Sequence, residues 1–128
     1  MAVRTTLHPL APTVPDDIVA RIHEQLQREL AWTVFEPNAE PVWQRVRMEA
    51  EDLLTGHWRA GELLGATPEE AFFVRCDSTT MTQNDLDNGR LVALVGLAVL
   101  APAEFLLLRI EQTVGDRRAG RLPAPRRS

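Results

Sequence analysis

Lysine and tyrosine are absent from this 128-residue sequence, and cysteine occurs once, at Cys76. The single cysteine excludes an internal disulfide framework and any zinc cluster built on cysteine. All 14 basic residues are arginine, a bias that fits a genome rich in G and C and says nothing about mechanism. No glycine-rich phosphate loop, GxSxG elbow, HExxH or paired-acid motif is present. The three histidines, His8, His23 and His57, include no pair at the i, i+4 spacing of a helical metal site. They read as solvated or helix-packing residues, and Cys76 reads as buried packing without a partner base. No catalytic, cofactor or metal residues are therefore assigned, and no enzyme is expected. Residues 1–15 lack the apolar run of a secretory signal, so export through the general pathway is not expected.

What is present is a soluble globular composition, 45% hydrophobic and 25% charged, with length for one domain and its own core. The net charge of −4 is unevenly spread. Five of the 14 arginines but one of the 18 acids fall in residues 116–128, which leaves the body at about −8. Arg117, Arg118 and Arg121 begin this basic, proline-containing tail.

Along the chain, residues 1–15 hold three prolines, Pro9, Pro12 and Pro15, without periodicity, and read as an extended arm. Ile18, Ile22, Leu26 and Leu30, with Val19 beside them, make one apolar stripe and predict a helix from Asp16 to near Leu30. Asp16 and Asp17 suit its first turn. The β-branched and aromatic run at residues 32–35, closed by Pro37, predicts a strand. Pro41 opens a second helix, with Val42, Trp43, Val46, Ala50, Leu53, Leu54 and Trp58 on one face and stops at Gly61 and Gly65. Thr67 with Glu70, and Thr82 with Asp85, have capping-box spacing, and Gly89 is the expected stop of the second. Residues 71–76, 90–100 and 103–112 read as strands, the last two separated by Ala101 and Pro102. The expected fold is α+β: a small mixed sheet of about four strands, two main helices on one face, and extended N- and C-terminal arms.

Residues 91–108 carry one charge, Glu104, and have the length of a membrane span. Gly96, Pro102 and Glu104 argue against it, since a helix-centred acid costs about 2.5–3.5 kcal/mol on insertion scales. Two buried strands meet neither cost. A calcium loop starting at Asp85 fails in register, because glycine falls at the fifth position and Gly96 occupies the twelfth. Arg75, Glu104 and Arg109 are charges in or beside apolar strands. Such charges face water or meet a partner, and terminal arms at both ends favour an interface.

The segments Trp32-Thr-Val-Phe-Glu-Pro-Asn38, Pro41-Val-Trp43 and Leu54-Thr-Gly-His-Trp-Arg-Ala-Gly61 resemble the C-terminal domain of contractile tail sheath proteins. Ala66-Thr-Pro-Glu-Glu-Ala-Phe-Phe-Val-Arg-Cys-Asp77 and Met81-Thr-Gln-Asn-Asp-Leu-Asp-Asn-Gly-Arg-Leu-Val92 continue the likeness in the same order. Pro102-Ala-Glu-Phe-Leu-Leu-Leu-Arg-Ile110 is similar to that family's final strand. The resemblance spans residues 16–112, about three-quarters of the chain, between an arm at 1–15 and a basic arm at 113–128.

The resemblance implies a structural subunit of a phage tail, an R-type bacteriocin or an extracellular contractile injection system, assembled in the cytoplasm into a tail or tail-like particle. In that family the domain lies near the inner tube, and terminal arms exchange strands between neighbouring subunits. The implied partners are like subunits or full-length sheath subunits, the inner tube protein, and baseplate or terminator components. Arm candidates are residues 3–14 and 113–122, with a sheet edge near residues 103–110. Arg75, Glu104, Phe105, Arg109, Arg117, Arg118 and Arg121 are the candidate interface residues. A full sheath protein carries further domains before this region. A minimal subunit, an accessory ring and a degenerate remnant are therefore all left open. The rival reading is a small binding module whose arginine-rich tail docks on an acidic partner or nucleic acid; a small membrane-associated protein is a third.

Overall fold

A computed structural model describes residues 3–4 and 16–115 of the chain. Helix α1 (Asp16–Glu29) buries Val19, Ile22 and Leu26, the 3.6-residue stripe seen in the sequence, and Leu30 just beyond its end is equally buried. Residues 32–35 correct the strand expected there: they lie in a 3-10 helix, Ala31–Phe35. The physical reason is local. The end of α1 leaves carbonyls without partners, and Thr33 meets the one on Leu30 twice, through its N–H at 3.1 Å and its hydroxyl at 2.7 Å. The indole of Trp32 is then carried to Glu49, to which its Nε1 donates at 2.8 Å.

Helix α2 (Glu40–Arg59) has Pro41 in its first turn and buries Val42, Trp43, Val46, Ala50 and Leu54. Its start is fixed by Asn38. The Asn38 carbonyl oxygen accepts from Trp43 Nε1 at 2.6 Å, and its amide donates to Arg90 O at 3.0 Å. Helix α3 (Pro68–Ala71) is one turn long, and here a second correction applies. Thr67 occupies the N-cap without a side-chain bond; Glu70 instead accepts from Ala66 N at 2.9 Å. The following strand is β2 (Phe72–Arg75). Helix α4 (Gln83–Asp87) carries the full reciprocal capping box expected from Thr82 and Asp85, and Gly89 at φ +66° ends it.

Residues 91–108 form most of a hairpin, β3 (Arg90–Ala101) and β4 (Glu104–Thr113), paired antiparallel. No described helix is long and apolar enough to cross a membrane. Pro102 and Ala103 make the turn, Ala103 at φ 60° in the position a type II turn usually gives to glycine. The Ala103 N–H donates to Glu70 O at 2.9 Å, tying the turn to α3. A bulge between Leu97 and Ala101 leaves the Ala98 carbonyl to accept from Leu64 N at 2.8 Å.

The sheet order is β1-β4-β3-β2, where β1 (Val3–Arg4) lies parallel to β4 and the other pairings are antiparallel. One face carries Phe72, Val74, Leu91, Ala93, Val95, Leu97, Leu106, Leu108 and Ile110 into a single core with α1 and α2. Gln112, on the same alternation, donates to Gln27 O on α1 at 3.3 Å, which marks this as the helix face. The result is the α+β arrangement expected. Beyond β4, Val114 is also buried and its N–H donates to Gly89 O at 2.8 Å, so the folded body continues past residue 112.

Candidate assembly interface

The opposite face of the sheet is organised in rows that follow from the strand register. Arg75 pairs with Leu94, and Leu94 with Arg109, so two arginines flank one leucine across three strands. The next row is Phe73, Gly96 and Leu107. Phe73 can lie flat on the sheet only because residue 96 has no side chain: a Cβ there would stand 2.1 Å from the Phe73 ring. From this seat the Phe73 ring meets Phe105 edge to face, with centroids 5.0 Å apart and planes at 86°.

Register thus brings Arg75, Phe105 and Arg109 onto one face. Glu104 falls on the other alternation, beside the hairpin turn. Arg117, Arg118 and Arg121, the arm segment 5–14 and His8 lie outside the described residues. Arg75 is exposed and donates to Thr79 Oγ1 at 2.7 Å. Arg109 is exposed and reaches Glu111 on its own strand at 2.7 Å. Exposed contacts of this kind hold little free energy, roughly 0–1 kcal/mol each, so both guanidinium groups can be redirected to another chain at small cost.

The far end of this face is closed by α4. The Asp85 carboxylate receives the Thr82 N–H at 2.9 Å and Arg90 Nε at 2.9 Å, while Arg90 also lies 3.7 Å from Glu111. The Thr82 N–H and then the Arg90 guanidinium hold the Asp85 carboxyl down at about 2. Asp77, bonded to Thr79, is likewise held below the usual carboxylate range, chiefly by that side-chain hydrogen bond. At the other sheet edge a cleft of about 410 Å³ runs beside β2, lined by Glu51 and Thr55 of α2, Pro68, Glu69 and the β2 residues Phe72, Phe73 and Val74.

The chemistry of the remaining candidates is packing. Burial pushes the Cys76 thiol up to about 12, so it stays protonated and unreactive at neutral pH. Its carbonyl accepts from Arg47 Nη1 at 2.5 Å, and that guanidinium also reaches Glu40 at 3.1 Å. Residues 84–89 form the capped helix turn rather than an ion loop. Among the described residues no group of three or more His, Cys, Asp or Glu side chains is placed to hold a metal ion. What sequence reasoning missed is the row itself: Phe73, Leu94, Gly96 and Leu107 complete the face but become neighbours of Arg75 and Arg109 only through strand register.

No family model matches the chain, and no curated protein matches it. Solved structures do. The chain is similar to a chain of the anti-feeding prophage baseplate, 6-fold symmetrised, with 35% identity, a TM-score of 0.63, and 73% of this chain and 26% of that chain covered. It is similar to a chain of the PVC sheath complex of an extracellular contractile injection system in the contracted state, at 37% identity and TM-score 0.60, covering 71% and 26%. A chain of the anti-feeding prophage baseplate in its contracted state gives 33% identity and TM-score 0.62, covering 70% and 24%. These matches and the fold define a contractile-injection-system sheath-like protein. The chain spans about a quarter of the length of the chains it matches.

Proposed function

We propose that the chain is a non-enzymatic structural subunit of a contractile, phage-tail-like particle, joined to its neighbours by exchanged strands. The observation that carries this reading is the pairing of Val3 and Arg4 with Phe105 and Leu106 along the edge of β4. The β4 edge accepts an N-terminal strand as an addition to the sheet, and main-chain hydrogen bonds of this kind are indifferent to which copy supplies the strand. In the particle, the N-terminal segment of one subunit takes this place on the next. The face bearing Arg75, Phe105 and Arg109 then packs on neighbouring sheath subunits or on the inner tube, with Glu104 and the tail arginines Arg117, Arg118 and Arg121 at its margins. Backbone pairing survives a change in subunit angle while side-chain contacts repack, which suits a machine that contracts.

The test uses particles reassembled from equal amounts of ¹⁵N-labelled and unlabelled full-length chains carrying a photo-crosslinking residue in place of Val3. Cross-links from position 3 to the peptide containing Phe105 are expected with mixed isotope composition. Cross-links of single isotope composition only, in assembled particles, would overturn strand exchange at this edge.

A further inference from the structure

The helices pack on one side of the sheet, so the domain has two broad outer faces that point in opposite directions. One is the sheet face on which Arg75 and Arg109 flank Leu94. The other is the outer side of α2. Its core side carries Val42, Trp43, Val46, Ala50 and Leu54, and Met48 stands about half a turn from that stripe, 57% exposed. Phe35 and Leu64 are the other exposed large apolar side chains among the described residues. Phe35 closes the short 3-10 helix, and Leu64 lies in a loop where nearby Glu62 is already paired with Arg21. Of the three, Met48 alone stands on a long helix.

Charge sets the Met48 face apart as well. Residues three and four positions along a helix lie side by side, which brings Glu51 and Asp52 next to Met48. At about 100° per residue they fall on opposite sides of it, and both are exposed. The nearby cations of α2 are engaged: Arg45 binds Glu49 at 2.8 Å and lies over the Trp32 ring, and Arg47 binds Glu40 at 3.1 Å. Among the described residues, neither Glu51 nor Asp52 is part of an ion pair. The α2 face is thus an apolar side chain between two carboxylates, and the sheet face is an apolar side chain between two guanidinium groups. Their widths agree. Two strand spacings set the Arg75 and Arg109 backbones about 9–10 Å apart, and a helix with its side chains is about 10–12 Å across.

We propose that the sheet face of one copy of this chain receives α2 of a second copy, with Met48 on Leu94 and with Glu51 and Asp52 facing Arg75 and Arg109. This contact rests on the reading of the sheet face as an assembly surface, and it supplies the partner for that surface. Because the two faces lie on opposite sides of the domain, the contact cannot close within one molecule. It is heterologous: each copy receives one neighbour and offers α2 to another, and repetition gives a ring or a helical stack. Arg75, bonded within its own chain to the Thr79 hydroxyl, gains a carboxylate, which makes a stronger hydrogen bond.

The test is charge reversal with complementation, using full-length chains reassembled into particles that are counted by electron microscopy. Arg75→Glu with Arg109→Glu makes both faces acidic, and Glu51→Arg with Asp52→Arg makes both basic. Either variant alone is expected to lower the particle count about tenfold or more, since like charges then oppose each other. An equal mixture should return to within about twofold of the parent, because each acidic face finds a basic one on the other variant. Unchanged counts for either variant alone would overturn the contact. So would a mixture that stays as low as its components, which would mean that the arginine face meets another surface, such as the inner tube. All four positions are exposed, and thermal unfolding checks that each variant keeps its fold. A second measurement does not depend on charge. In particles mixed from Met48→Cys and Leu94→Cys chains, a short bis-maleimide should join position 48 of one chain to position 94 of another, and no such link would equally overturn the contact. Cys76, buried and protonated, does not compete. Cross-links from position 3 to the Phe105 peptide report strand exchange separately, so either reading can fail without the other.

Discussion

The two faces of the sheet are built from the same three strands and treated differently. On the helix face Leu91, Leu97 and Ile110 have no exposure at all, and their neighbours Val95 and Leu108 are nearly as buried. On the other face, in the row next to that of Phe73, Arg75 and Arg109 are exposed and Leu94 between them is half-buried. Burial of apolar side chains against α1 and α2 is where the folding free energy is concentrated, at roughly 25 cal/mol for each Å² removed from water. The second face contributes less to folding and keeps groups that can be shared with another chain. The contrast is not uniform along the strands, because Phe73 and Phe105 pack over Gly96 as closely as core residues do.

The largest effect should separate the faces cleanly. Ile110→Ala removes a fully buried side chain and is expected to cost about 2–5 kcal/mol. Leu107→Ala, three residues earlier on the half-buried face, should cost about 1 kcal/mol. Denaturant unfolding of both variants measures the difference, and equal losses would show that the second face is a core as well. Gly96→Ala probes where the contrast narrows. A methyl group there displaces the Phe73 ring, for an expected loss of about 1–3 kcal/mol typical of overpacking. Phe73→Leu in the same chain should recover part of that loss, so a double-mutant cycle is expected to show clear coupling. Purely additive losses would mean that the Phe73 ring is not what excludes a side chain at residue 96.

Much of this architecture is legible in the sequence because its signals are local. The α1 stripe, Pro41 at the start of α2, the Thr82–Asp85 box and the Pro102 turn each depend on residues a few positions apart. Residues 32–35 mislead for the opposite reason. Their composition suits a strand, but the open carbonyls at the end of α1 and the distant Glu49 carboxylate decide their conformation. Thr67 does stand at the N-cap of α3, but its side-chain box is replaced by another local contact, since Glu70 accepts from Ala66 N instead. The proposed assembly face is only half legible. Arg75 and Arg109 stand out as charges in apolar strands, yet their shared row depends on hairpin register and on the short β2 pairing.

The smallest expected effect on folding is the most informative about assembly. Arg75 bonds a threonine hydroxyl at the surface, and the Arg109–Glu111 pair has side-chain exposures of 53% and 42%. Solvent competes for both contacts, so replacing both arginines by alanine should change the unfolding free energy by about 1 kcal/mol or less. Incorporation into particles, counted by electron microscopy against the parent chain, should nevertheless fall, because a buried interface loses two guanidinium groups that it would otherwise pair. A stability loss on the scale of Ile110→Ala would place the row in the folding core and dissolve the distinction between the faces. Unchanged stability with unchanged incorporation would remove the arginine row from the interface and leave Phe105 and Leu107 as the part of that face to test. The comparison therefore turns on measuring folding and assembly in the same variant, since only a face reserved for neighbours separates the two.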